Sequence, residues 1–168
     1  MKQIAIDDQT LRQAAASGMD DFVGTFVEAT LNAIGGELNG GNIGELNGDQ
    51  VTLLAYQILR DEVMDGGFVQ LIHNGYGPFF FRNPFAKAMR QWEIPELAKL
   101  MNKAHKLYSK HGADLTKDCT DEEFMSLFEH YPDFDDLDDA FVEHEEEWTA
   151  AVARYIDAHI ERFAEIRK

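Results

Sequence analysis

Between Pro95 and Gly112 the apolar residues Leu97, Leu100, Met101, Ala104, Leu107 and Tyr108 recur at steps of three and four. That spacing puts all six on one side of a helix and leaves no period-two alternation for a strand. Lys99, Lys103, Lys106 and Lys110 fall on the outer side, and Gly112 is the expected stop. The same period returns elsewhere. A short helix is expected over Asp8 to Ala16. A second runs from Asp20 or Asp21 to Ile34, with Phe22, Phe26, Ala29 and Ala33 inward and Gly35-Gly36 ending it. Asp49 is the expected cap of a helix reaching Met64, with Val51, Leu54, Ala55 and Ile58 on one face. Asn83-Pro84 reads as a helix start before Phe85, Met89 and Trp92. Thr120 with Glu123 three residues on is a capping box ahead of Phe124, Leu127 and Phe128. Tyr131-Pro132 breaks the run, and a last long helix is expected from Asp133 to near the C-terminus. The fold class these periods define is all-α, and 168 residues suit one domain.

The interruptions are as informative as the helices. Residues 35–48, GGELNGGNIGELNG, repeat the tetrad ELNG. No strand precedes these glycines, so a dinucleotide-binding turn lacks its setting and a mobile surface loop is expected. Asp65 to Gly77, DGGFVQLIHNGYG, concentrates glycine among large apolar residues and reads as a corner between helices. Pro78-Phe79-Phe80-Phe81 follows, three consecutive aromatics that suit core or a dimer contact better than a ligand pocket.

Charge sets the functional question. The chain carries 31 acidic and 15 basic residues, a formal net charge of −16. Such a surface repels nucleic acid and anionic lipid and attracts basic partners. Solubility alone would explain a scattered excess, but the segment 118–147 holds 14 Asp or Glu and no Lys or Arg. With Phe141 inward on the last helix, Phe134, Leu137, Trp148 and Val152 fall within about 40° of it at 100° per residue. Asp135, Asp136, Asp139, Glu143, Glu146 and Glu147 lie more than about 100° away. These six span ~18 Å, one charge per ~3 Å, close to the 3.4 Å per phosphate of a DNA strand. Glu145 projects toward the core and Asp138 lies at the boundary. An inward carboxylate needs a partner or a raised pKa, so Glu145 is either a structural ion pair, with Arg154, Arg162 or a base on another helix, or part of a functional site.

Catalytic and metal chemistry find little support. The six histidines and many acids form no paired Glu-x-x-His motif and no cysteine cluster, so no metal or other cofactor is expected. Ser17, Ser109 and Ser126 lack a nucleophile-elbow context. Cys119 is the only cysteine, which excludes an intrachain disulfide, and its acidic neighbours blunt thiol reactivity. The start, MKQIAIDDQTLRQ, has no signal-peptide character, and no run approaches a membrane span, which suits a cytoplasmic protein.

Asp65-Gly66-Gly67-Phe68-x-Gln70 followed by Asn74-Gly75 resembles the bacterial DNA mimic protein family. The helix Phe85 to Trp92, the helix Leu97 to Tyr108 and the Leu137-Asp138…Phe141 spacing extend the likeness from about Asp49 to His159. The resemblance implies a compact helical fold and a dimer. It also implies an acidic surface that imitates duplex DNA against the DNA-binding face of a transcription repressor. The signature itself is structural: Gly66 and Gly67 permit the turn, Phe68 anchors it, and Gln70 and Asn74 are placed to satisfy backbone groups at helix ends. The expectation is therefore a non-enzymatic acidic protein. Its partner would be a basic protein surface, such as that of a DNA-binding regulator or nucleoid protein, with no direct nucleic acid or membrane contact. Asp135, Asp136, Asp139, Glu143, Glu146 and Glu147 are the contact residues. The alternative is a small-molecule or metal site near 66–81, with Glu145 and His73 as its polar groups.

Overall fold

The computed structural model describes residues 1 to 168, the side chain of Phe128 excepted. The first part of the chain forms β1 (Ala5–Asp7), α1 (Asp8–Ser17), α2 (Met19–Ala33) and α3 (Gly48–His73). Then come α4 (Gly77–Phe81), α5 (Phe85–Gln91), α6 (Pro95–Leu115) and α7 (Asp121–His130). The chain ends with α8 (Asp135–Ala158), α9 (Ile160–Phe163) and β2 (Glu165–Arg167). The fold is all-α, as the periodicity requires. The two strands are three residues each and pair in parallel with Ile6 opposite Ile166. Runs that short carry no readable alternation, which is why periodicity does not reveal them. Among the described residues no helix is long and apolar enough to cross a membrane.

Two compact units divide the chain: Met1–Gln57 with Glu146–Lys168, and Ile58–Glu145. In the first, Phe22, Val23 and Phe26 of α2 are buried, as are Leu53 and Tyr56 of α3, Trp148 and Val152 of α8, and Phe163. The Tyr56 hydroxyl lies 2.7 Å from Thr149 Oγ1, so the one polar atom of that buried ring is satisfied. The buried side of α3 is broader than the expected stripe. Leu53 and Tyr56 are fully enclosed while Val51 and Ile58 are only partly so.

Asp49 is not the cap of α3. Asn47 Oδ1 accepts from Gln50 N at 2.8 Å, and Gln50 Oε1 accepts from Asn47 N at 2.9 Å, a reciprocal pair that meets two N-terminal donors at once. Asp49 instead accepts from the Tyr155 hydroxyl, 3.3 Å away, with Arg162 Nη1 3.7 Å off. Asn42 is buried and its amide donates to Ile34 O and Glu37 O, tying the loop 35–48 to the end of α2.

In the second unit Leu97, Ala98, Leu100, Met101 and Ala104 of α6 are buried against a core that includes Phe85, Met89 and Trp92. Gly112 does not end α6, which continues to Leu115. A Cβ at Gly112 or at Gly77 would overlap the Tyr108 ring, so both glycines make room for that ring. Thr120 caps α7 by accepting from Glu123 N at 3.2 Å, as the box predicts, and Phe124 and Leu127 are partly buried. The expectation for Phe128 lies outside the described side chains. Phe79 is partly exposed whereas Phe80 and Phe81 are buried; Phe81 lies against Tyr108 at 5.0 Å between ring centroids.

Candidate protein-binding surface

Pro132–Phe134 form a 3-10 turn, and α8 begins at Asp135, two residues later than the break at Tyr131-Pro132 suggests. Phe134, Leu137, Phe141, Trp148 and Val152 are buried. Asp135, Asp136, Asp139, Glu143, Glu146 and Glu147 are all exposed. The faces thus fall where a period of 3.6 residues puts them. Asp135, Asp136 and Asp138 occupy the first turn, where the helix N-terminus favours negative charge.

The two carboxylates that break the polar face behave differently. Glu145 is 7% exposed, and its Oε1 pairs with Arg60 Nε at 2.6 Å, so its partner comes from α3 and neither Arg154 nor Arg162 is needed. Asp138 reaches the backbone of α3, where its Oδ1 accepts from Phe68 N at 2.8 Å. Burial pushes the Asp138 carboxyl up to about 6; the Phe68 hydrogen bond opposes this, and the nearby charges of Asp135 and Asp139 add to it.

That contact explains the glycine-rich stretch. No loop separates two helices at Gly66-Gly67; α3 is kinked there, with Gly66 at φ −140°, ψ 15° and Gly67 at φ 73°, ψ −175°. The helix resumes at Phe68, and its first amide has no acceptor one turn back because the kink has removed it. Gly67 has no side chain to cap with, so Asp138 supplies the acceptor from α8. A Cβ at Gly67 would overlap that carboxylate, and one at Gly66 would overlap the Gln70 side chain. Gly75, at φ 90°, ends α3: Tyr76 N donates to Leu71 O and Gly75 N to Ile72 O, the paired bonds of a Schellman close. The signature placed Gln70 and Asn74 to satisfy backbone groups at helix ends, but their side chains bond carboxylates instead. Gln70 Nε2 donates to Glu62 and Asp65 carboxylates at 2.8 and 3.0 Å, and Asn74 Nδ2 donates to Glu62 at 2.9 Å. The backbone ends are already met by Asp138 and the Schellman bonds, which leaves these amides to bridge the kink.

The groups named for a pocket near 66–81 are engaged separately. Phe68, Val69, Leu71, Ile72, Phe80 and Phe81 are buried in the core. His73 Nδ1 lies 2.8 Å from Leu115 O, which fixes the proton on Nδ1 and leaves Nε2 to accept from the Cys119 thiol at 3.8 Å. Partial burial pushes that thiol pKa up, and Glu123, Asp118 and Asp121 add to the effect, so the thiol form dominates. Among the described residues no three His, Cys, Asp or Glu side chains are grouped to hold a metal ion.

Asp138 as a cap and Arg60 as the Glu145 partner are the roles that sequence reasoning missed. A signal for the first existed: a Gly-Gly pair inside a helical period leaves donors that only another element can meet.

The fold and this surface define an acidic helical protein whose distinguishing feature is a row of exposed carboxylates on one helix. Residues 44–159 match the family described as DMP19-like protein. Over 122 residues the chain is 39% identical to the DNA mimic protein DMP19 of Neisseria meningitidis serogroup B, covering 72% of this chain and 74% of that protein. The chain belongs to the DMP19-like family.

Proposed function

We propose that this chain is a DNA mimic: a non-enzymatic protein whose α8 carboxylates occupy the basic DNA-binding surface of a transcription regulator or nucleoid protein. The observation that carries this reading is the exposed row Asp135, Asp136, Asp139, Glu143, Glu146 and Glu147, free of interleaved Lys or Arg. Its spacing along the helix is near that of phosphates along a strand. The name of the meningococcal relative points the same way. Carboxylate attraction speeds encounter with a cationic surface and weakens as salt rises. In this reading the protein works in the cytoplasm as a homodimer and touches neither nucleic acid nor membrane.

Reversing Asp139, Glu143 and Glu146 to lysine should abolish capture of a basic DNA-binding protein from a lysate of the native host. Excess duplex DNA should displace that protein from the unmodified chain, since the two compete for one surface. Capture that survives the triple reversal, or that duplex DNA leaves untouched, overturns the proposal.

A further inference from the structure

Among the described side chains four large apolar ones stand in solvent, and two of them, Met64 at 45% and Val142 at 55% exposure, lie on α3 and α8. Two contacts within Ile58–Glu145 set the register of these helices: Arg60 on Glu145 and Phe68 N on Asp138. Sequence number rises along one helix as it falls along the other, so they run antiparallel. Met64 lies four residues after Arg60, ahead of the kink at Gly66-Gly67; Val142 lies four after Asp138 and three before Glu145. Residues three or four apart share a helix face. Met64 and Val142 therefore flank the line along which α3 meets α8, at about the same level between the two contacts, and both are exposed. A single exposed apolar residue needs no explanation, but a level pair on adjacent helices is a patch. Its frame is acidic: Asp61 and Asp65 are exposed on α3, as are Asp139 and Glu143 on α8.

We propose that Met64 and Val142 are the apolar contact of the partner-binding surface, and that the segment seated on them is a basic helix carrying one aliphatic side chain between its cations. This rests on the carboxylate row being the partner-binding surface. Charge complementarity selects the occupant, because acids on both helices exclude an acidic or purely apolar segment. A carboxylate row by itself attracts any cation. Protein side chains that read duplex DNA meet thymine methyl groups as well as phosphates, so a surface that replaces DNA gains selectivity from an apolar feature within its charges.

The test uses the full chain and two synthetic helical peptides of equal charge, with lysines and arginines one turn on either side of a central leucine or, in the second, a serine. Binding is read by fluorescence anisotropy across a salt series. The leucine peptide should bind about tenfold tighter, the effect of half-burying two apolar side chains. Met64→Ser with Val142→Ser should erase that preference and leave the slope of log affinity against log salt unchanged, because no charge is removed. Both residues are exposed, so a circular dichroism spectrum should confirm an unaltered fold. A leucine preference that survives the double substitution, or that the unmodified chain never shows, overturns the inference while binding to both peptides upholds the carboxylate row. If neither peptide binds, the carboxylate-row reading fails and the inference fails with it.

Discussion

Replacing Asp138 by asparagine should stabilise the protein at neutral pH and change little near pH ~4, where the native carboxyl is already protonated. The carboxyl is partly buried and accepts one hydrogen bond, from Phe68 N at 2.8 Å. Burial raises its pKa to about 6, with Asp135 and Asp139 contributing. In the unfolded chain the value is ~3.9. Between these values the native state holds the proton and the unfolded state does not. Stability from this group is therefore fully present below ~4 and declines as pH rises through about 6. A shift of about two units corresponds to a ceiling of ~3 kcal/mol, and the solvent that still reaches the group lowers this to ~1–2 kcal/mol.

Asparagine keeps the acceptor for Phe68 N and carries no charge to desolvate. Alanine separates the two roles: near pH ~4 it should cost ~1–3 kcal/mol by leaving the Phe68 amide unmet. Urea unfolding followed by far-ultraviolet circular dichroism at both pH values measures each difference. An asparagine variant less stable than the parent at neutral pH would show that ionised Asp138 stabilises the kink, and the reasoning from burial would be refuted. A gain of equal size at both pH values would refute it too.

Gly67→Ala meets a positive φ and the Asp138 carboxylate together, so thermal unfolding should show a loss of ~2–4 kcal/mol. Gly66→Ala has no positive φ to strain but meets Gln70 as far as its Cβ, at 2.8 Å, which only a backbone shift can clear, so its loss should be ~1–3 kcal/mol; a loss larger than that of Gly67→Ala would contradict the cap geometry. Removing one partner of this pair, by Arg60→Met or Glu145→Gln, should cost ~1.5–3 kcal/mol, the worth of a hydrogen bond between charged groups. The double variant should lose less than the sum in a denaturation cycle, and strict additivity would mean that the two groups do not act on each other.

The helices were legible because their apolar periods are long: α8 buries the residues that a 3.6 repeat assigns inward, and α6 buries Leu97, Leu100, Met101 and Ala104 while Leu107 and Tyr108 are only partly covered. The inward turn of Glu145 was legible for the same reason. Its partner was not, since nothing in a sequence couples Arg60 to a residue 85 positions away. Local chemistry misled where two signals compete. Asp49 has the look of a cap, but Asn47 and Gln50 can satisfy each other at both ends of the first turn and Asp49 cannot. Gly112 resembles a stop signal, yet the space it frees is taken by Tyr108 one turn back. Gly66-Gly67 reads as a corner because a second helix can restart without a loop only if another element caps it. Asp138 does so from 70 residues downstream. The exposed acids were legible as a face, whereas the Met64 and Val142 pair depends on the register of two helices.

The carboxylate row also works against the helix that carries it. Asp135 and Asp139, Asp139 and Glu143, and Glu143 and Glu147 are each four apart, and like charges at that spacing cost ~0.2–0.5 kcal/mol per pair. Near the N-terminus the helix dipole offsets this for Asp135 and Asp136, but the effect fades beyond the first turn. Glu143, Glu146 and Glu147 sit too far along to benefit. Alternating lysines would have turned the same positions into stabilising pairs, and the segment 118–147 contains none. Fold stability therefore gives no reason for placing Asp139 and Glu143 four apart with no base between them. A cationic surface docked on that face, as proposed above, would give one, because it relieves the repulsion.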